Sequence, residues 1–112
     1  GDGYRGFKDY QNLGNATAFF NDINSQASDL VFTSSAYYGV VRGQRQKMGL
    51  HNWHHEILMN MTSDDELPNM IVTKGFNYSV LPIFNPIGVR LKSDYGYQEI
   101  YSDKQLVILK RS

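Results

Sequence analysis

The sequence predicts an α+β domain, with two helices packed on a mainly antiparallel β-sheet. Two segments repeat apolar residues at helical spacing, and most of the remaining apolar runs are short and rich in branched and aromatic residues. The order is helix, strands, helix and then a run of strands, which suits segregated helices and strands rather than βα alternation. A chain of 112 residues with 41% hydrophobic content makes one domain, 1–112.

The opening, Gly1 to Gly14, is rich in Gly, Asp and Tyr and has no period. Asn15 can then cap a helix in which Ala16, Phe19, Phe20, Ile23 and Ala27 recur at helical spacing. Asp29 to Ser34 and Ala36 to Arg42 read as strands, the second running into the polar loop Gly43 to Lys47. Leu50, Trp53, Ile57, Leu58 and Met61 gather on one side when each residue advances by ~100°, which predicts a second helix over Leu50 to Met61. After the acidic loop Thr62 to Glu66, short strands are expected at Pro68 to Asn77, Ser79 to Phe84, Gly88 to Ser93, Tyr97 to Ser102 and Gln105 to Arg111. The last two face each other across a hairpin turn at Ser102-Asp103-Lys104. Tyr4, Tyr10, Phe19, Phe20, Phe32 and Phe84 are assigned to core packing.

Composition removes several chemistries. With no cysteine there can be no disulfide, thiolate zinc site, iron–sulfur cluster or thiol nucleophile, leaving His and carboxylates as the strong metal ligands. Eleven Lys and Arg balance eleven Asp and Glu, so a surface that is basic throughout is excluded while a local patch is not. No stretch reaches the ~18–20 apolar residues of a membrane helix, so no membrane partner is expected. Sequons at Asn15, Asn60 and Asn77 leave a secreted protein open.

All three histidines lie in His51-Asn-Trp-His54-His55-Glu56, which gathers the only side chains with an ordinary pKa near neutrality. On the helical reading His51 and His55 stand one turn apart at the border of the apolar stripe, and His54 points into it as a core residue. Between Asp29 and Glu56 there is no acidic residue, while Arg42, Arg45 and Lys47 precede the histidines. Such a patch suits phosphate, and Tyr37, Tyr38 and Trp53 could stack on bases, a combination fitted to single-stranded nucleic acid.

Gly49-Leu-His-Asn-Trp53 resembles the Gly-Phe-His-Asn-Trp signature of the EndoU or XendoU endoribonucleases. Tyr38-Gly-Val-Val-Arg-Gly-Gln44 is similar to that family's segment before the histidine, and Leu67-Pro-Asn-Met-Ile-Val-Thr-Lys-Gly-Phe-Asn-Tyr78 is similar to its Pro-Asp-Val-Leu-x-x-x-Phe-Asn-Trp strand. The resemblance spans Tyr37 to Tyr78 and implies a trimmed C-terminal catalytic lobe. It also implies cleavage of uridine-containing RNA by manganese-stimulated transesterification, giving a 2′,3′-cyclic phosphate. By motif His51 matches one family histidine; the candidates for the other implied roles are His55, Lys74 and the uridine contacts Tyr97, Tyr101 and Ser79, with Arg42 and Arg45 of the basic patch as supporting substrate contacts. The family's other histidine falls at Ser35-Ala36-Tyr37. Either activity is lost, or Ala36 is an inactivating replacement, or His55 has taken the role.

Three further readings remain. In an HNH-type nuclease His55 would activate water, and His54 with Asn77 would hold a divalent ion, Asn69 to Thr73 forming the motif's second strand. An ADP-ribosyltransferase would use Tyr4-Arg-Gly6, Phe32-Thr-Ser-Ser35 and Tyr97-Gln-Glu99. A non-catalytic module would bind RNA, a protein partner or an inhibitor, consistent with a pI of 7.0. Dimerisation through exposed tyrosines or an edge strand stays open.

Overall fold

The computed structural model describes residues 13–112. Tyr4 and Tyr10, assigned to packing, and the Tyr4-Arg-Gly6 segment lie outside the described residues. The fold is α+β: a five-stranded mixed sheet in the order β2-β1-β3-β5-β4, with helices against both faces. The strands are β1 (Leu30–Ser34), β2 (Gly49–Trp53), β3 (Tyr78–Pro82), β4 (Gln98–Ser102) and β5 (Leu106–Lys110). β1 runs parallel to β2 and β3, whereas β5 runs antiparallel to β3 and β4.

Side chains alternate across the strands, and this alternation builds two cores. Val31, Val80, Leu106 and Ile108 face α1 (Gly14–Asn21) and α2 (Tyr38–Val41). Phe32, Leu81, Val107 and Leu109 face α3 (His55–Met59), α4 (Leu67–Thr73) and α5 (Pro86–Tyr95). β3 is buried at all five positions, as a central strand covered on both faces must be. None of the helices in the described residues is long and apolar enough to cross a membrane.

Several elements differ from their sequence-based assignment. The first helix starts after Leu13 rather than at an Asn15 cap and stops at Asn21, leaving Ile23 outside it but still against the same core. Its last carbonyls, of Phe20 and Asn21, accept hydrogen bonds from Nε2 of buried Gln44 at 2.9 and 3.0 Å. Ala36 to Arg42, expected as a strand, lies within a helical run: 3₁₀ at Ser35–Tyr37, α2, and 3₁₀ again at Arg42–Gln44. This run is the crossover between parallel β1 and β2, and burial of Val40 and Val41 overrides their strand preference. The expected helix over Leu50 to Met61 is instead edge strand β2 followed by short α3.

Two expected strands are helices for a common reason. Pro68 to Asn77 and Gly88 to Ser93 were expected as strands, yet Pro68 and Pro86 each sit in the first turn of a helix, where a missing N–H costs nothing. α4 ends in a Schellman motif: Gly75 (φ 79°) donates its N–H to Val72 and Phe76 donates to Ile71, with the Phe76 and Ile71 side chains in one core. α5 is capped by Asn85, whose Oδ1 accepts the Ile87 N–H at 2.9 Å while Nδ2 donates to the Leu58 carbonyl at 3.0 Å. The hairpin between β4 and β5 is present as expected, closed by Asp103 Oδ1, which accepts from Gln105 and Leu106.

Phe84, assigned to packing, is 85% exposed and has φ 65°. The turn that lets Asn85 donate to the Pro82 carbonyl forces this conformation on a bulky residue. The left-handed region costs an L-residue roughly 1–2 kcal/mol, while glycine's extra chain entropy costs roughly 0.5–1 kcal/mol. Phe84→Gly is therefore expected to stabilise the fold by about 0.5 kcal/mol, read as a higher urea midpoint at unchanged slope.

Candidate functional site

The Gly-Leu-His-Asn-Trp segment is β2 itself, and its register on β1 explains the glycine. Gly49 pairs with Leu30, and a Cβ on residue 49 would fall 2.7 Å from Leu30 Cδ2. Gly49, His51 and Trp53 occupy one face of the edge strand, with His51 opposite Phe32 and Trp53 opposite Ser34. His51 is exposed and meets the Phe76 ring edge-to-face at 5.0 Å. The Trp53 indole lies over Phe32 at 5.5 Å, and its buried Nε1–H has no partner.

Across from β2, the Schellman turn at the end of α4 delivers Lys74 and Phe76. The two walls enclose a cleft of about 320 Å³, with Phe32, His51, Trp53, Met70, Lys74 and Phe76 among its lining residues. Three aromatic rings, one imidazole and one ammonium thus share a single space. Its volume is at the lower end for small-ligand sites, room for about one nucleotide unit.

His55 stands beyond this cleft, at the carboxyl end of β1. Its Nδ1 lies 2.6 Å from Oγ of fully buried Ser34, and its backbone N–H donates to Ser35 Oγ at 3.1 Å. Burial holds its pKa below the ordinary value of 6.5, opposed by the Glu56 carboxylate and reinforced by His54. His54, expected in the core, is exposed because the chain leaves strand geometry there.

The other expected contacts are dispersed. Arg42 and Arg45 are exposed near the helical turn that packs on α1, against the opposite face of the sheet. Tyr97 is buried and donates its hydroxyl to the Phe76 carbonyl at 2.6 Å, and burial raises its pKa. Tyr101, on β4 at the far edge, donates to Asp103 Oδ2 at 2.9 Å and packs on Phe19 at 5.2 Å. Ser79 is fully buried in β3, with its Oγ unpartnered. Ala36 packs against the α1 core, not the His51 cleft, so a histidine there would start from the wrong face.

The HNH constellation is not brought together. Asn69 to Thr73 is helical, and Asn77 Oδ1 accepts the Leu30 N–H at the amino end of β1, whereas His55 sits at that strand's carboxyl end. Serine and glutamate of the ADP-ribosyltransferase reading are also apart: Ser34 is on β1 and Glu99, paired to Lys92 at 3.3 Å, is on β4. A divalent ion such as manganese takes carboxylate, carbonyl or imidazole ligands. Among the described residues no three His, Cys, Asp or Glu side chains converge, and the cleft offers an imidazole beside a repelling ammonium.

Comparison of the chain with protein-family models, with curated proteins and with solved structures finds no match. The sequence names His51 and Lys74, which line this cleft, whereas Ser34 enters only in the ADP-ribosyltransferase strand and Phe76 only in the Leu67 to Tyr78 match, neither with a place at this site. A local signal for Phe76 is its place directly after Lys74-Gly75, since a glycine closing a helix aims the next apolar residue back at it.

Proposed function

We propose that the cleft binds single-stranded, uridine-containing RNA and cleaves it by transesterification. The observation that carries this reading is the convergence of His51 and Lys74, 23 positions apart in sequence, on one aromatic-walled space. A base stacks in the wall formed by Trp53 and Phe76, and Lys74 neutralises the phosphate beside it. His51 takes the 2′-hydroxyl proton as the 2′-oxygen attacks phosphorus, and Lys74 balances charge on the non-bridging oxygens. The P–O5′ bond breaks, the 5′-oxygen collects a proton from solvent, and a 2′,3′-cyclic phosphate remains.

The second reading, a binding module without turnover, is favoured by one observation: only one histidine lines the cleft. Both readings are tested through Trp53, the chain's one tryptophan. Titration with a short oligouridylate is expected to change its emission, and Lys74→Gln is expected to flatten the dependence of log affinity on log salt by about 0.7. The same oligonucleotide is then incubated with manganese or with EDTA and its ends are analysed. Cyclic phosphate ends identify the nuclease; binding with intact RNA identifies the module; an emission unchanged at every RNA concentration, with no retention on RNA, rejects both.

A further inference from the structure

Ser34 closes β1 and is fully buried. Its Oγ accepts the Ala36 N–H at 3.3 Å and stands 2.6 Å from His55 Nδ1. A hydroxyl carries one proton, and in a site closed to solvent that proton needs an acceptor. Among the described residues the acceptor placed within its reach is His55 Nδ1. Were Nδ1 protonated instead, it would donate to Ser34 Oγ and leave the serine proton without a partner.

We infer that Ser34 is a positioning residue whose hydroxyl donates to His55 Nδ1, holding the imidazole as the neutral Nε2–H tautomer. His55 then presents a hydrogen-bond donor, not a base, to a phosphoryl or carbonyl oxygen of a ligand at the carboxyl ends of β1 and β2. The place suits a ligand: the connections leaving these parallel neighbours go to opposite faces, toward α2 and α3, and such divergence at the carboxyl ends of parallel strands is where open sheets take their ligands. A fixed, uncharged N–H donor there can stabilise charge growing on an oxygen without first losing a proton.

Protonating His55 would break this arrangement, because an imidazolium needs an acceptor at both nitrogens. The groups facing it are Glu56 and His54 from its own segment and the uncharged Tyr37 ring, edge-to-face at 5.7 Å. With the folded pKa below the unfolded value of 6.5, the stability contributed by neutral His55 is complete above 6.5 and is lost as pH falls through the folded value.

The inference rests on the RNA reading only for which oxygen is met, a phosphate oxygen; the tautomer is a property of the free protein. Nitrogen-15 NMR of the free protein between about pH 5 and 8 tests it. The expected spectrum has His55 protonated at Nε2 and bare at Nδ1, with a midpoint below 6.5. Ser34→Ala is expected to mix the tautomers and move the midpoint up, and Ser34→Thr to restore both. Should the alanine protein not fold, the wild-type spectrum decides alone, and a protonated Nδ1 above the midpoint overturns the inference. For the donor role, His55→Gln keeps an N–H and is expected to hold oligouridylate affinity within about threefold, whereas His55→Leu loses about tenfold. Equal losses in both variants overturn that role, and absence of RNA binding by the wild-type protein overturns the phosphate assignment while the spectrum still decides the tautomer.

Discussion

Replacing His51 with alanine is expected to lower single-turnover cleavage of an oligouridylate by about 10²–10⁴-fold, the usual contribution of one acid–base group. Affinity should change little, because stacking on Trp53 and Phe76 and the charge of Lys74 remain. Stability should also hold: His51 is exposed on an edge strand and meets the Phe76 ring edge-on, so the cost is about 1 kcal/mol or less. Urea unfolding beside the kinetic assay separates these effects. Cleavage that survives in the folded alanine protein would remove His51 from the mechanism. His51→Gln sharpens the comparison by keeping a polar group of similar reach without a base in the neutral range.

The largest stability effect is expected at Phe32. Its ring is 1% exposed and joins three structures at once, meeting Trp53 at 5.5 Å, Phe76 at 5.5 Å edge-on, and the apolar side chains of the α4–α5 face. Phe32→Ala should cost about 3–5 kcal/mol, because the lost transfer energy adds to a cavity that rigid strands cannot close. For a domain of this size that lowers the thermal midpoint by on the order of 20 °C. Calorimetry measures the shift, and Trp53 emission should move to the red as its packing surface disappears. A loss under about 1 kcal/mol would mean that the neighbouring rings refill the space, contrary to the close packing of strand-borne side chains.

The sequence made the fold class legible but not the route of the chain. Leu106 to Leu109 and the Asp103 turn read correctly because a doubly buried strand and an Asx-closed hairpin are local signals. Ala36 to Arg42 read wrongly because Tyr-Tyr-Gly-Val-Val has strand propensity, and only the need to cross over between parallel strands makes it helical. Pro68 to Asn77 and Gly88 to Ser93 read wrongly for another reason: proline forbids a helix interior but suits a helix start, as Pro68 and Pro86 show, and which applies depends on residues downstream. At the site, His51 and Lys74 were recoverable from motif and residue type. Ser34 was not, since its meeting with His55, 21 positions away, exists only once β1 and β2 are side by side.

Among the described residues the strand that carries His51 and Trp53 is hydrogen-bonded on one side, to β1. Amide exchange along the sheet should therefore be graded, slowest in central β3 and fastest in the edge strands β2 and β4, the release of either of which breaks a single ladder and leaves both flanks of β3 paired. One wall of the cleft is thus anchored through α4 to the apolar core, while the other is an edge of the sheet that can breathe without global unfolding. Entry of a nucleotide wider than the resting space would then draw on this local opening, and binding should slow exchange in Gly49–Trp53 more than anywhere else in the sheet.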